Sequence, residues 1–197
     1  MEAQTKTPSV AGAYYLQGVM ETASGFKLNP DHSFEFFFSY GALDRSGEGQ
    51  WKQEKNEIIF SSLKNKPADY TLLQSKKQNG TGTTISISGG NEYLQKKIHA
   101  IIKSGDEEEQ AGVNEAGIIV AKTTSADSII LLFEWCPEKR FVFKVPDTTH
   151  NHFEFRLEPS LMDVLFEDFR LQLNDNGLTG PHPMDKTKSF QYKRSGH

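Results

Sequence analysis

A chain of 197 residues can hold one large domain or two small ones, since domains most often run to about 100–150 residues. Its 36% hydrophobic and 24% charged residues are ordinary for a globular protein, and a net charge of −4 disfavours non-specific binding to nucleic acid or anionic membranes. No window approaches the roughly 18 consecutive apolar residues of a membrane-spanning helix. The single cysteine, Cys136, can form neither an internal disulfide nor a cysteine-rich zinc site, and reads as a small buried hydrophobe.

Residues 1–9 are polar, carry Pro8 and show no periodicity, which predicts a loose tail. They lack the charged leader and apolar core of a signal peptide, yet Glu2-Ala3-Gln4-Thr5 resembles a mature start left by leader removal. A periplasmic or secreted location is therefore favoured over the cytoplasm. Residues 12–20 read as a strand interrupted at Gly18, and residues 26–28 as a second. Asn29-Pro30-Asp31-His32 has the residue types of a tight turn. Phe34, Phe36 and Phe38 then alternate with Glu35, Phe37 and Ser39, so one face of this strand is a row of rings that must be buried. Gly41, Asp44-Arg45-Ser46, Gly47 and Gly49 read as a glycine-rich corner, followed by a return strand through Trp51. Residues 58–60 and 69–73 add two more strands. Short strands at close spacing predict an antiparallel meander over residues 10–80, closing as a partial barrel or a sandwich.

Residues 76–82 are polar and glycine-bearing, the best linker candidate in the chain. The charge balance shifts there too: nine basic and nine acidic residues precede residue 81, and thirteen and seventeen follow. The second half, residues 81–197, restarts with the alternation of Thr83–Ser88 and repeats it at residues 98–102. Residues 105–110 read as an acidic loop, residues 114–117 as a turn, and Ile118–Ala121 as a strand. Residues 128–134 are apolar on both faces, as a central strand would be. Residues 140–145, 153–157 and 169–173 follow as further strands. A helical turn is expected within residues 159–166, a turn at residues 174–177, and a final edge at Phe190 and Tyr192. Seven or eight strands here predict a β-sandwich, so the whole chain is expected to be all-β.

Two resemblances follow from these residues. Gly12-Ala13-Tyr14-Tyr15-Leu16, Leu28-Asn29-Pro30-Asp31, Tyr40-Gly41-Ala42-Leu43-Asp44 and Gly49-Gln50-Trp51 resemble the opening of a family of uncharacterised bacterial β-rich proteins. Arg45 and His32 depart from its pattern, which has an acidic residue and a glycine there. The resemblance implies a bacterial source and export, and no reaction. The order of strands and the turn at residues 114–117 resemble the transthyretin-like or carboxypeptidase-regulatory-like sandwich over residues 83–157. That fold hosts scaffolding, adhesion and binding roles without a shared chemistry.

Four places carry residue types with chemical potential. At the glycine-rich corner, Tyr40, Asp44, Arg45 and Glu48 offer a phenol, carboxylates and a guanidinium to a polar ligand. The plainer reading caps the turn with Asp44, pairs Arg45 with Glu48 and gives Tyr40 to the core. His150, His152 and Glu154 alternate along a strand after Asp147, a set that Zn²⁺ or a similar ion accepts. The alternative is the solvent face of an amphipathic strand with Phe153 and Phe155 in the core; His182 joins only if the C-terminal loop folds back. Residues 106–109 are acidic but lack the spacing of a calcium loop, and read as a solvated loop. Glu21, beside Ser24 and Gly25, could act as a base, but no nucleophile is placed for it. Nucleotide-binding, zinc-protease and serine-hydrolase motifs are absent, so no catalytic residue and no cofactor is identified.

The expectation is a non-enzymatic ligand- or protein-binding module. The alternatives are a small-molecule-binding barrel or hydrolase using residues 40–48, and a metal-binding protein using His150 and His152. A protein or small ligand is the expected partner, with no nucleic acid and no membrane span. Residues 26–28 and 190–192, as exposed strand edges, would support homo-oligomers.

Overall fold

The computed structural model describes residues 9–63 and 67–196. It is all-β. The strands are β1 Gly12–Leu16, β2 Thr22–Leu28, β3 Ser33–Tyr40, β4 Leu43–Glu54, β5 Glu57–Ser61 and β6 Tyr70–Lys76. After β7 Thr83–Ser88 comes one short helix, α1 Glu92–Gln95, then β8 Ile98–Ser104, β9 Glu107–Gly112, β10 Ile118–Ala121 and β11 Ser128–Phe133. The chain continues through β12 Arg140–Lys144, β13 His152–Leu157, a 3-10 turn at Pro159–Met162, β14 Phe169–Asn174, β15 Gly177–His182 and β16 Asp185–Arg194. Apart from Ser9, the expected tail lies outside the described residues.

The chain divides into two compact units, Met1–Asn65 with Met162–His197, and Lys66–Leu161. This differs from the expected boundary at residue 80. The first unit is a closed antiparallel barrel in the order β1-β16-β15-β14-β5-β4-β3-β2, an up-and-down meander completed by the last three strands. A meander of residues 10–80 alone has too few strands to close, and residues 69–73 belong elsewhere. Phe26, Phe34, Phe36, Trp51, Phe60 and Tyr192 point inward and are buried, as the alternation in β3 predicts. The turn before β3 is also as expected: the Asn29 carbonyl accepts from the His32 N–H at 3.1 Å, and Asp31 Oδ1 accepts from the Ser33 N–H at 2.9 Å.

The glycine-rich corner is instead a strand. The hairpin reverses at Gly41 (φ 58°) and Ala42, with Tyr40 opposite Leu43, and residues 43–54 run on as β4. Gly47 and Gly49 face inward there. A Cβ on Gly47 would lie 2.6 Å from the Phe166 ring and from the Val164 carbonyl oxygen. Gly47 is thus placed for close approach by residues 162–168, the return segment that leads into β14, and Gly49 for close approach by Ser61, Ser62 and the Phe34 ring; neither makes a turn. Nor are residues 26–28 and 190–192 edges, because β2 pairs with β1 and β3, and β16 with β15 and β1. In a closed barrel neither is open to strand addition.

The second unit is a sandwich of two four-stranded sheets, β10-β7-β13-β6 and β12-β11-β8-β9. Phe141 and Phe143 from one sheet meet Phe153 and Phe155 from the other, with ring centroids 5.5–6.1 Å apart. As its two-sided apolar sequence predicts, β11 is internal. The β13–β7 pair is parallel and every other pair antiparallel. The expected linker is the connection from β6 to β7, held by buried Asn151, whose side chain accepts from the Gln78 N–H and donates to the Gly82 carbonyl. The expected acidic loop is largely β9, an edge strand paired with β8, where Lys103 meets Glu108. Helix α1 went unforeseen because four residues show no periodicity; Asn91 caps it by accepting from the Leu94 N–H.

Candidate functional site

The structure does not assemble the four residues of the expected corner into one site. Strand alternation sends Asp44 and Glu48 to the outer face of β4 and Arg45 to the inner one. Arg45 is only 2% exposed, and its guanidinium donates to the carbonyls of Met162 and Asp163 at 3.2 and 3.3 Å. These bonds tie the return segment to β4, where Val164 N–H also donates to the Ser46 carbonyl at 2.6 Å. Tyr40, at the strand end, is 52% exposed.

The barrel interior holds a cluster of buried aromatic and aliphatic side chains. Phe166, from the segment between the 3-10 turn and β14, inserts among Phe34, Phe36 and Phe169 with centroids 5.0–5.6 Å away. Near it, His182 Nε2 lies 3.0 Å from Ser24 Oγ, a pair formed across the whole chain length that sequence spacing could not disclose. Met184 N–H donates to His182 Nδ1, which leaves the ring proton on Nε2 and directed at Ser24. Ser24 in turn donates to the Phe37 carbonyl at 2.8 Å. The proton relay therefore runs away from the imidazole, the reverse of an activated serine. Burial among aromatic rings lowers the His182 pKa to about 4, so the imidazole is neutral near pH 7.

The histidine strand is arranged for pairing within its sheet. His150 Nδ1 lies 2.8 Å from Ser75 Oγ in β6, whereas His152 Nδ1 lies 2.9 Å from Thr84 Oγ1 in β7 on the other flank of β13. Glu154 Oε1 is 3.2 Å from His152 Nε2, and Asp147 Oδ2 is 3.5 Å from His150 Nε2. The imidazoles thus turn to opposite neighbours, and among the described residues no group of three or more His, Cys, Asp or Glu could hold a metal ion. His182 belongs to the barrel. Of the acidic run, Glu109 accepts from the Lys122 and Thr123 N–H groups, which hold its carboxyl below the usual range.

What the sandwich does expose is one side. Across from that side, β9 and β10 draw the sheets together through the Val113–Ile119 bridge. On the other, β6 and β12 are sheet edges, and Tyr70 meets Phe141 between them at 5.3 Å. Phe141 and Phe143 are only half-buried, and Val142 is 55% exposed. Lys139 closes one end, donating to Asp69 at 2.9 Å and to the Ser160 carbonyl at 2.6 Å. Comparison with protein-family models, with curated proteins and with solved structures finds no match.

Proposed function

We propose that the protein is a non-enzymatic binding module that captures a protein partner at the open side of its sandwich. The observation that carries this is the β12 edge, where Phe141, Val142 and Phe143 lie on an end strand that has no strand beyond it among the described residues. Edge strands of this kind are templates for an added strand, main-chain bonds giving affinity and side-chain pockets specificity. The filled barrel supports the same reading, since small-ligand sites are concave and this interior is occupied by Phe166 and its neighbours. With the bacterial source and export that the sequence resemblance implies, such a module would work in the periplasm or outside the cell.

Native mass spectrometry of protein purified without added ligand or chelator tests the reading. The expected result is the mass of the chain or of its complex with another protein. A small molecule or metal ion that leaves only on denaturation would overturn it in favour of ligand or metal binding.

A further inference from the structure

Resting on that reading, we propose that the partner enters β12 as an extended strand with acidic residues bracketing a three-residue apolar centre. Register indicates which groups are on offer. Val145 N–H donates to the Asp127 carbonyl, and Phe143 and Phe141 stand opposite Ile129 and Leu131 in the same phase. In an antiparallel ladder alternate residues bond to the same neighbour, so the N–H and C=O of Arg140, Val142 and Lys144 point away from β11. Among the described residues none of these groups bonds to another backbone. The β11–β12 pairing runs without a register shift, whereas β6, the facing edge, pairs through a bulge at Glu154/Phe155. A ladder without a bulge is the better template.

Side chains set the chemistry. Arg140 and Lys144 are exposed at the two ends of the strand, and among the described residues neither has an ion-pair partner. A strand centred on Val142 places its first and fifth residues beside these cations. Its second and fourth lie against the half-buried Phe141 and Phe143, and its third against Val142. Carboxylates at both ends therefore match in either strand direction. A second copy of β12 fits poorly, because antiparallel self-pairing sets Arg140 against Lys144 twice. The charges thus reject the homodimer and select the partner, which is how charge acts at interfaces more than by raw affinity.

The experiment uses the full chain and fluorescein-labelled peptides with the core sequences EVIVE, KVIVK and SVIVS, read by fluorescence anisotropy. EVIVE is expected to bind at least tenfold more tightly than the other two. The double variant Arg140→Glu, Lys144→Glu is expected to reverse the order of EVIVE and KVIVK. Val142→Pro removes an outward N–H without touching the β11 ladder, and is expected to abolish binding while thermal unfolding stays cooperative. Equal binding of all three peptides, lost in Val142→Pro, would overturn the acidic preference and leave strand capture standing. No binding, or binding indifferent to Val142→Pro, would overturn both. Concentration-dependent self-association abolished by Val142→Pro would make a second copy the occupant and overturn the proposal.

Discussion

His182 shows how one buried side chain makes the barrel sensitive to acid. Its folded pKa of about 4 lies below the ordinary 6.5, so between those values the unfolded chain holds a proton that the folded chain does not. Stability is then full above about pH 6.5 and falls as the pH drops towards 4, by about 3 kcal/mol in all. Denaturant titrations at pH 7 and pH 4.5 should show most of that loss, and His182→Gln, which keeps a donor for Ser24, should remove the imidazole's share of it. Carboxylates held low, such as Glu109 by the Lys122 and Thr123 N–H groups and Asp185 by Thr187, also lose their contribution as the pH falls through the carboxylate range, but they do so in both proteins, so the difference between the wild type and His182→Gln isolates the imidazole. Tyr70 makes the opposite case. Its hydroxyl is buried with no hydrogen-bond partner among the described residues, and burial raises its pKa. Removing an unsatisfied buried hydroxyl is expected to be neutral or to stabilise by about 1 kcal/mol. Tyr70→Phe should thus raise or preserve the denaturation midpoint; a clear fall would show that the hydroxyl has a role.

Among the elements, the segment after the 3-10 turn does most to decide what the barrel is. Phe166 replaces the space a ligand would need, and Arg45, Ser46 and Gly47 hold the segment in place from β4. Phe166→Ala should cost about 3–5 kcal/mol, the usual range for a deleted core aromatic ring. Gly47→Ala adds one methyl against a backbone carbonyl and a ring, and should cost about 1–3 kcal/mol by overpacking. Chemical denaturation measures both. This is also where sequence reading went astray. A cluster of glycines with polar neighbours signals a turn locally, but Gly47 is small because Val164 and Phe166, more than a hundred positions away, pass close to it, and Gly49 because Phe34 and the end of β5 at Ser61 and Ser62 do.

For the molecule as a whole, the sandwich is a continuous stretch and the barrel is not. Glu158 N–H donates to the Asp69 carbonyl and Ser160 Oγ to the Ala68 carbonyl, so the two ends of the sandwich stretch are fastened together. A fragment of residues 66–161 should therefore fold by itself with a cooperative thermal transition. Residues 1–65 should not, because without β14 to β16 the row of rings in β3 faces solvent and the barrel cannot close. Circular dichroism of the two fragments checks both outcomes.

The all-β class, most strands, the turn before β3 and the burial of Phe34, Phe36, Phe153 and Phe155 were legible because each depends on alternation or turn chemistry within a few neighbours. The candidate sites were legible only as residue types. Which face Arg45 takes, which flank each histidine serves and which strand is an edge all depend on pairing between distant segments. Barrel closure by β16, the Ser24–His182 bond and the open β12 edge belong to that class. Period-two patterning says that a strand has an inside, and carries no information on its neighbours. Those are chosen by long-range hydrogen bonding and packing, so the tertiary structure alone decided where this chain is closed and where it remains open.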